Sequence, residues 1–286
     1  MEASELSARA RTVGQLADIV QAMRTLASAQ RRQAQERFSG LERYAAATRV
    51  ALGQALALLG PAEEAPGPTA AATPRVVALF SEHGFVGALN DRVLDAALAL
   101  SRARRAQLVA VGRRGRRLCR ERAVGAADGG AMPTTVAAAP ATAQRLIEDL
   151  FGAVAEGRVA ETHVVFARHR PPVGWEPHTL RLLPPDVTTA EQPAAAVDVP
   201  PIHTLEPRLL AVRAIEEYAF ALVSWAVAEA FASERAARFV AMDAAHHHIA
   251  DTLSELQGLE RQLRQDTITN EILEIASGAG SSGGGP

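Results

Sequence analysis

The sequence predicts an α/β fold in which long N- and C-terminal helices pair as an antiparallel coiled coil, with an inserted Rossmann-like α/β domain whose sheet is mainly parallel. Three observations predict it. Residues 4–59 and 206–277 are each helical in pattern, and the second stretch has no Pro after Pro207 and Gly258 as its one interior glycine. Between them, short apolar runs alternate with amphipathic stretches, the pattern of βαβ units. The two ends also carry opposite charge: 8 Arg against 5 Asp and Glu over residues 1–59, and 6 Arg against 12 over residues 206–277. Opposite signs favour pairing modestly, and salt weakens the effect.

The first helix is expected to occupy residues 1–60. Val13, Leu16, Val20, Met23, Ala27, Gln30, Ala34, Arg37, Leu41, Tyr44, Thr48 and Ala51 recur at alternating spacings of three and four, which draws a narrow seam along one face. The seam is large from Val13 to Met23 and small or polar from Ala27 to Arg37, where helices can approach closely or meet water. Gly60-Pro61 should end the helix. Residues 61–74, rich in Pro and Ala without periodicity, read as a linker.

The α/β domain is expected over residues 75–190. VVALFS, QLVAVG and THVVFARHR are buried-strand candidates, and TLRLLPPD is a fourth, ended by Pro184-Pro185. DRVLDAALALSRARRA, RRGRRLCRER and ATAQRLIEDLFGAVAEG read as helices, EHGFVGALN as a strand-to-helix turn built on Gly84 and Gly87, and GAADGGAMPT as a loop. Residues 184–205 are Pro-rich and extended. Pro207 then opens the second long helix, where its missing N–H costs nothing. Met242, Ile249, Leu256 and Leu263 follow at intervals of seven, a coiled-coil period. About 72 residues of helix span on the order of 100 Å. A domain of this size cannot bury such a length, so part of it must meet another helix or another protein. Residues 278–286 are expected to be a disordered tail.

Composition excludes several classes. Of 286 residues, 48% are hydrophobic and 22% charged, with a net charge of −2 and no run near the length of a membrane span. The near-neutral balance speaks against nucleic acid as the main partner. The first residues lack an apolar signal core. One cysteine, Cys119, allows no intrachain disulfide and no multi-cysteine metal site, and fits a reducing compartment. There is no lysine.

No stretch offers catalytic chemistry, and no cofactor or metal site is expected. EHGFVGALN lacks the spacings that bring several amides onto a phosphate, so it reads as a tight turn. His246, His247 and His248 are adjacent on a helix, where neighbours point about 100° apart and cannot share one ion. Arg113 to Arg122 has no interleaved aromatics and reads as a solvated basic helix.

Four collinear blocks carry a family resemblance. RQDTITNEILEIASGA is similar to RQxxITxEIxEIxxGA, and ASERAARFVAM to ASExxARxxAM. RARTVGQLADIVQAMRTLASAQRRQAQ resembles the N-terminal block, and VVALFSEHGFVGALN the strand and turn SxxGxCGGLN; RLLP fits the Pro-ended strand that closes the domain. The family is the γ subunits of F-type ATP synthases, the asymmetric central shaft. Gln30 stands where that family usually has Lys, Gly87-Ala88 where it has Gly-Gly, and Arg261 and the neighbourhood of His248 where it has Asn. These departures suggest a divergent member, proton- or sodium-coupled.

The resemblance implies a rotor that couples ion translocation through the membrane sector to ATP synthesis or hydrolysis, with no nucleotide site and no catalytic residue of its own. Implied partners are the α and β subunits of the catalytic ring, the ε subunit and the c-ring. The implied location is peripheral, on the cytoplasmic face of a bacterial plasma membrane. Met23 and Arg24 fall at the family's AM-plus-basic position, and Arg264 and Gln265 at its RQ pair; both would touch the β subunit. A planar guanidinium suits a carboxylate there. A stand-alone coiled-coil scaffold with an α/β sensing module is the competing expectation.

Overall fold

The computed structural model describes residues 3–59, 72–170, 174–185 and 202–281, and the side chains among them other than those of 3–4, 30–39 and 274–281. Its elements in order are α1 (Ala3–Ala57), β1 (Arg75–Leu79), α2 (Leu89–Arg104), β2 (Gln107–Val111), α3 (Arg113–Glu121), β3 (Ala127–Asp128), α4 (Ala139–Ala155), β4 (Thr162–Arg170), β5 (Gly174–Leu183) and α5 (Pro207–Ser281), with a 3₁₀ turn at Val136–Ala138 before α4. Contacts divide the chain into two units, and the division falls inside the long helices: Ala27–Arg238 form one, Met1–Leu26 with Phe239–Pro286 the other.

The larger unit is built on a five-stranded sheet of order β3-β2-β1-β4-β5. β1 pairs parallel with β2 and β4, and β2 parallel with β3. β4 and β5 are antiparallel, from Thr162 opposite Leu183 to Arg170 opposite Gly174. Successive strand residues face opposite sides of a sheet. Val76, Ala78 and Phe80 therefore join Val93, Leu94 and Ala97 of α2 in one core. Leu79, Val111, Val164 and Phe166 join α4 and α5 in the other, through Ile147, Leu150, Leu222 and Phe231. Leu52 and Ala45 of α1 complete this second core.

Two departures from expectation sit in the sheet. β3 lies in the segment read as a loop; two residues among glycines leave no alternation to detect. β5 begins at Gly174, well before TLRLL, and contains Pro177. Proline cannot donate to a ladder, but β5 is an edge strand, where that loss is tolerated.

The connection from β2 to α3 is close-packed on Phe80. Gly112 has φ +100°, and a Cβ there would lie 2.6 Å from the Phe80 carbonyl oxygen. At Gly115 a Cβ would lie 2.0 Å from the Phe80 ring. Only glycine lets α3 start this near β1.

Within this unit α5 is buried on nearly every side. From Ala221 to Arg238 only Trp225 and Ala232 are better than marginally accessible. A helix buried on all sides is a core element, so no single apolar stripe is legible there. The stretch is Ala-rich, so neighbours can close on it from several directions.

In the smaller unit the helices run antiparallel. Ser7 Oγ donates to Glu260 Oε1 at 2.6 Å, and Arg24 Nε lies 2.9 Å from Asp243 Oδ1. Seventeen residues forward on α1, from Ser7 to Arg24, match seventeen back on α5, from Glu260 to Asp243. On α5, Met242 and Leu256 are buried and Ile249 and Leu263 partly so. On α1 the seam is shifted from the expected one. Leu6 is buried and Ala10, Val13, Ala17, Val20 and Met23 are half-buried, but Leu16 is 48% exposed. In the larger unit Ala51, expected on the seam, is exposed and Leu52 is buried instead. Both shifts have one cause. A three-four spacing read from a single helix fits two adjacent rows, and only the partner selects between them.

α1 ends at Ala57, and Gly60, residues 61–71 of the linker and most of residues 184–205 lie outside the described residues. So do the side chains of Gln30, Ala34 and Arg37. The expected tail is corrected in part: α5 continues through residues 278–281 to Ser281, and 282–286 lie outside the described residues.

Candidate functional site

Two of the sequence blocks meet in the larger unit, at a clamp between α5 and the β1–α2 turn. Glu234 and Arg238 lie one helical turn apart, with side chains 2% and 7% exposed, and their charged atoms are 2.6 Å apart. Arg238 donates from Nε and Nη2 to the Gly84 carbonyl at 3.2 and 3.1 Å. The other Glu234 oxygen accepts the Glu82 N–H at 3.2 Å. Arg235 donates to the Thr134 carbonyl at 3.3 Å and stacks on Phe231, its guanidinium carbon 4.5 Å from the ring centre.

Glu82 carries the network further. One of its oxygens accepts the backbone N–H of Arg113 at 3.1 Å and of Met132 at 3.0 Å. Asn90 closes the turn: its Oδ1 accepts the Ser81 N–H, and its amide donates to Ser81 Oγ. Thus the buried ion pair and Arg235 fasten α5 to two loops through two backbone carbonyls and one backbone amide, and Glu82 ties its own loop to two further backbone amides. Buried charge is tolerated here because each member has charged or carbonyl partners. The arrangement can resist sliding or rotation of α5 against the sheet, but it presents no nucleophile and no open position.

Gly87 has φ +56°, as a turn glycine would. Gly84 does not; its contribution is its carbonyl. Phe85, between them, takes φ 61° and stays exposed, a conformation that costs a non-glycine residue about 1–2 kcal/mol. In EHGFVGALN the backbone strain thus falls on Phe85 rather than on Gly84.

The other singled-out residues lie in the smaller unit. Met23 is half-buried; Arg24 pairs with Asp243 and lies 5.9 Å from the Phe239 ring centre. Arg264 is 70% exposed, with only a 3.5 Å contact to Glu260 one turn back, and Gln265 is exposed. The apolar side chains of Ile268, Ile272 and Leu273 are exposed beside them. Cys119 is buried, and that burial pushes its thiol pKa up, which disfavours the thiolate. Among the described residues no group of three or more His, Cys, Asp or Glu is placed to hold a metal, and no helix is long and apolar enough to cross a membrane.

Glu82, Asn90, Glu234, Arg235 and Arg238 had no role assigned from sequence, although all five stand in the two family blocks. Their signal was present: charged residues inside an otherwise apolar helical stretch are expected to be paired.

Long N- and C-terminal helices with an α/β domain between them in sequence, clamped to α5 by Glu234, Arg235 and Arg238, define the class of protein to compare. Residues 2–281 match the family model described as ATP synthase, and the chain belongs to the ATP synthase gamma-chain family. An ATP synthase gamma chain of Beutenbergia cavernae is 34% identical over 219 residues, covering 72% of this chain and 73% of that protein. One from Moorella thermoacetica is 30% identical over 286 residues, covering 96% and 97%. In fold, the chain is similar to a rotor chain of the Euglena gracilis mitochondrial ATP synthase, with a TM-score of 0.67 at 16% identity over 93% of this chain and 98% of that one.

Proposed function

We propose that this chain is the central-stalk rotor of an F-type ATP synthase, coupling ion flow through the membrane sector to ATP synthesis or hydrolysis in a ring of α and β subunits. It supplies no catalytic residue; the chemistry belongs to the ring. The ε subunit and the c-ring are its partners at the foot, and it is held peripherally at the cytoplasmic face of a bacterial plasma membrane.

The observation that carries the reading is the clamp. A shaft transmits torque only if the driven domain cannot slip on it. Glu234 and Arg238 bond to backbone atoms of the β1–α2 turn, so slippage would strand a buried ion pair. In the smaller unit, an asymmetric pair of helices presents a different face to each β subunit in turn. Differences in contact energy then shift each site among its states. Met23, Arg24, Arg264 and Gln265 are the proposed contacts to β; the exposed Arg264 fork is free to take a carboxylate from outside.

Co-expression with its α, β and ε subunits tests the reading. The chain should co-purify stoichiometrically and stimulate ATP hydrolysis by α and β; a homodimer indifferent to them would refute it. Arg264→Ala combined with Gln265→Ala should lower coupled turnover with assembly retained, and unchanged turnover would remove these residues from coupling.

A further inference from the structure

We propose that a basic cavity in the larger unit is a binding site for a small oligophosphate anion, of the pyrophosphate or nucleoside-diphosphate class. The cavity has a volume of about 420 Å³ and lies among α1, β4, β5 and α5. That volume is within the usual range of small-ligand sites, roughly 300–1,000 Å³.

Arg49 of α1, Arg168 of β4 and Arg181 of β5 all line it. Among the described residues, none of the three side chains has an ion pair or a hydrogen bond. Nearby arginines behave differently: Arg170 and Arg213 each pair with a carboxylate at 2.7 Å. The Arg49 Nε is moreover buried without a hydrogen-bond partner. A buried guanidinium N–H left without an acceptor is destabilising, and like charges around one cavity add to that. An anion in the cavity removes both penalties at once.

The remaining lining supports the assignment. Arg168 stacks over Trp225, with its guanidinium carbon 5.4 Å from the ring centre, which fixes the plane of its donor fork. Burial, with the charges of Arg168 and Arg170, lowers the His178 pKa, so the imidazole is neutral at pH 7 and offers one donor and one acceptor. Glu42 is the one carboxylate in the lining, and it lies beyond ion-pairing reach of all three arginines. The lining carries three guanidiniums against one carboxylate, and Glu229, outside the lining, attracts Arg168; the balance stays positive. Planar forks of this kind match phosphate oxygens bidentately. Ala45, Leu180 and Leu222 give the floor an apolar portion that a nucleoside could cover.

The test uses the full chain, alone and assembled with its partner subunits. Arginine modification by phenylglyoxal is read residue by residue by mass spectrometry, with pyrophosphate, ADP, sulfate at matched ionic strength, or vesicles containing phosphoinositide. Pyrophosphate or ADP should protect Arg49 and Arg181 saturably, and sulfate should not. Site resolution separates this cavity from nucleotide sites elsewhere in the complex. Protection by the vesicles alone would identify a lipid headgroup as the phosphate source and overturn the free anion. Arg181→Gln, at an exposed position, should fold normally and weaken protection of Arg49 about tenfold or more. Equal protection in that variant, or none by either phosphate compound, would overturn the proposal.

Discussion

Arg238 reaches across the larger unit to the Gly84 carbonyl while its charge is met, one turn back on its own helix, by Glu234 at 2.6 Å. The pair joins a residue of the long helix to a turn 154 positions away in sequence. Removing one partner leaves the other charged, buried and alone, at a cost of about 3–5 kcal/mol. Arg238→Ala should therefore shift the urea midpoint strongly downward. Arg238→Ala with Glu234→Gln should recover part of that loss, because no lone charge remains. In a coupled complex, the single variant should also lower torque-dependent turnover more than uncoupled ATP hydrolysis.

The pair Arg24–Asp243 is a contrasting case. Both side chains are about a third exposed, so solvent screens their attraction. A double-mutant cycle with Arg24→Ala and Asp243→Ala should give a coupling of only about 0.2–1 kcal/mol, diminishing in high salt. A much larger effect on coupled turnover than on stability would assign Arg24 to the β-subunit contact rather than to the seam.

Tyr44 donates its hydroxyl to Glu217, and burial with that neighbour pushes its pKa up to about 12. The folded value lies above the unfolded one of about 10. Its contribution is thus fully present below pH 10 and is lost as pH rises through 12. Tyr44→Phe should flatten the alkaline fall in stability between those values, measured by denaturation at pH 9 and pH 11.

Glu229 accepts the His169 N–H at 2.6 Å from a buried position, and burial raises its pKa. A raised carboxyl favours the folded state at low pH and costs stability as pH rises through the folded value. Glu229→Gln retains an oxygen acceptor for His169 and removes the buried charge. Stability at pH 8 should be unchanged or higher, and its dependence between pH 5 and pH 8 should weaken; a clear loss at pH 8 would show that the charge itself is required.

The sequence by itself determined the elements whose pattern is local. The helical periodicity of residues 4–59 and 206–277, the runs VVAL, QLVAV and THVVFARHR, and the turn glycine Gly87 each follow from backbone and hydropathic period within a few residues. The family blocks likewise located Glu82, Asn90, Glu234 and Arg238 in the chain. Tertiary structure decided what each residue faces. It chose Ala17 over Leu16 and Leu52 over Ala51, because a helix has two adjacent rows of nearly equal spacing and only a packed partner separates them. It placed Pro177 in a strand, because edge position is a property of the whole sheet. It also brought Glu234 and Arg238 to the turn that holds Gly84, and Arg49 to Arg168 and Arg181. No local period encodes such meetings; they exist only when segments more than a hundred residues apart close on one another.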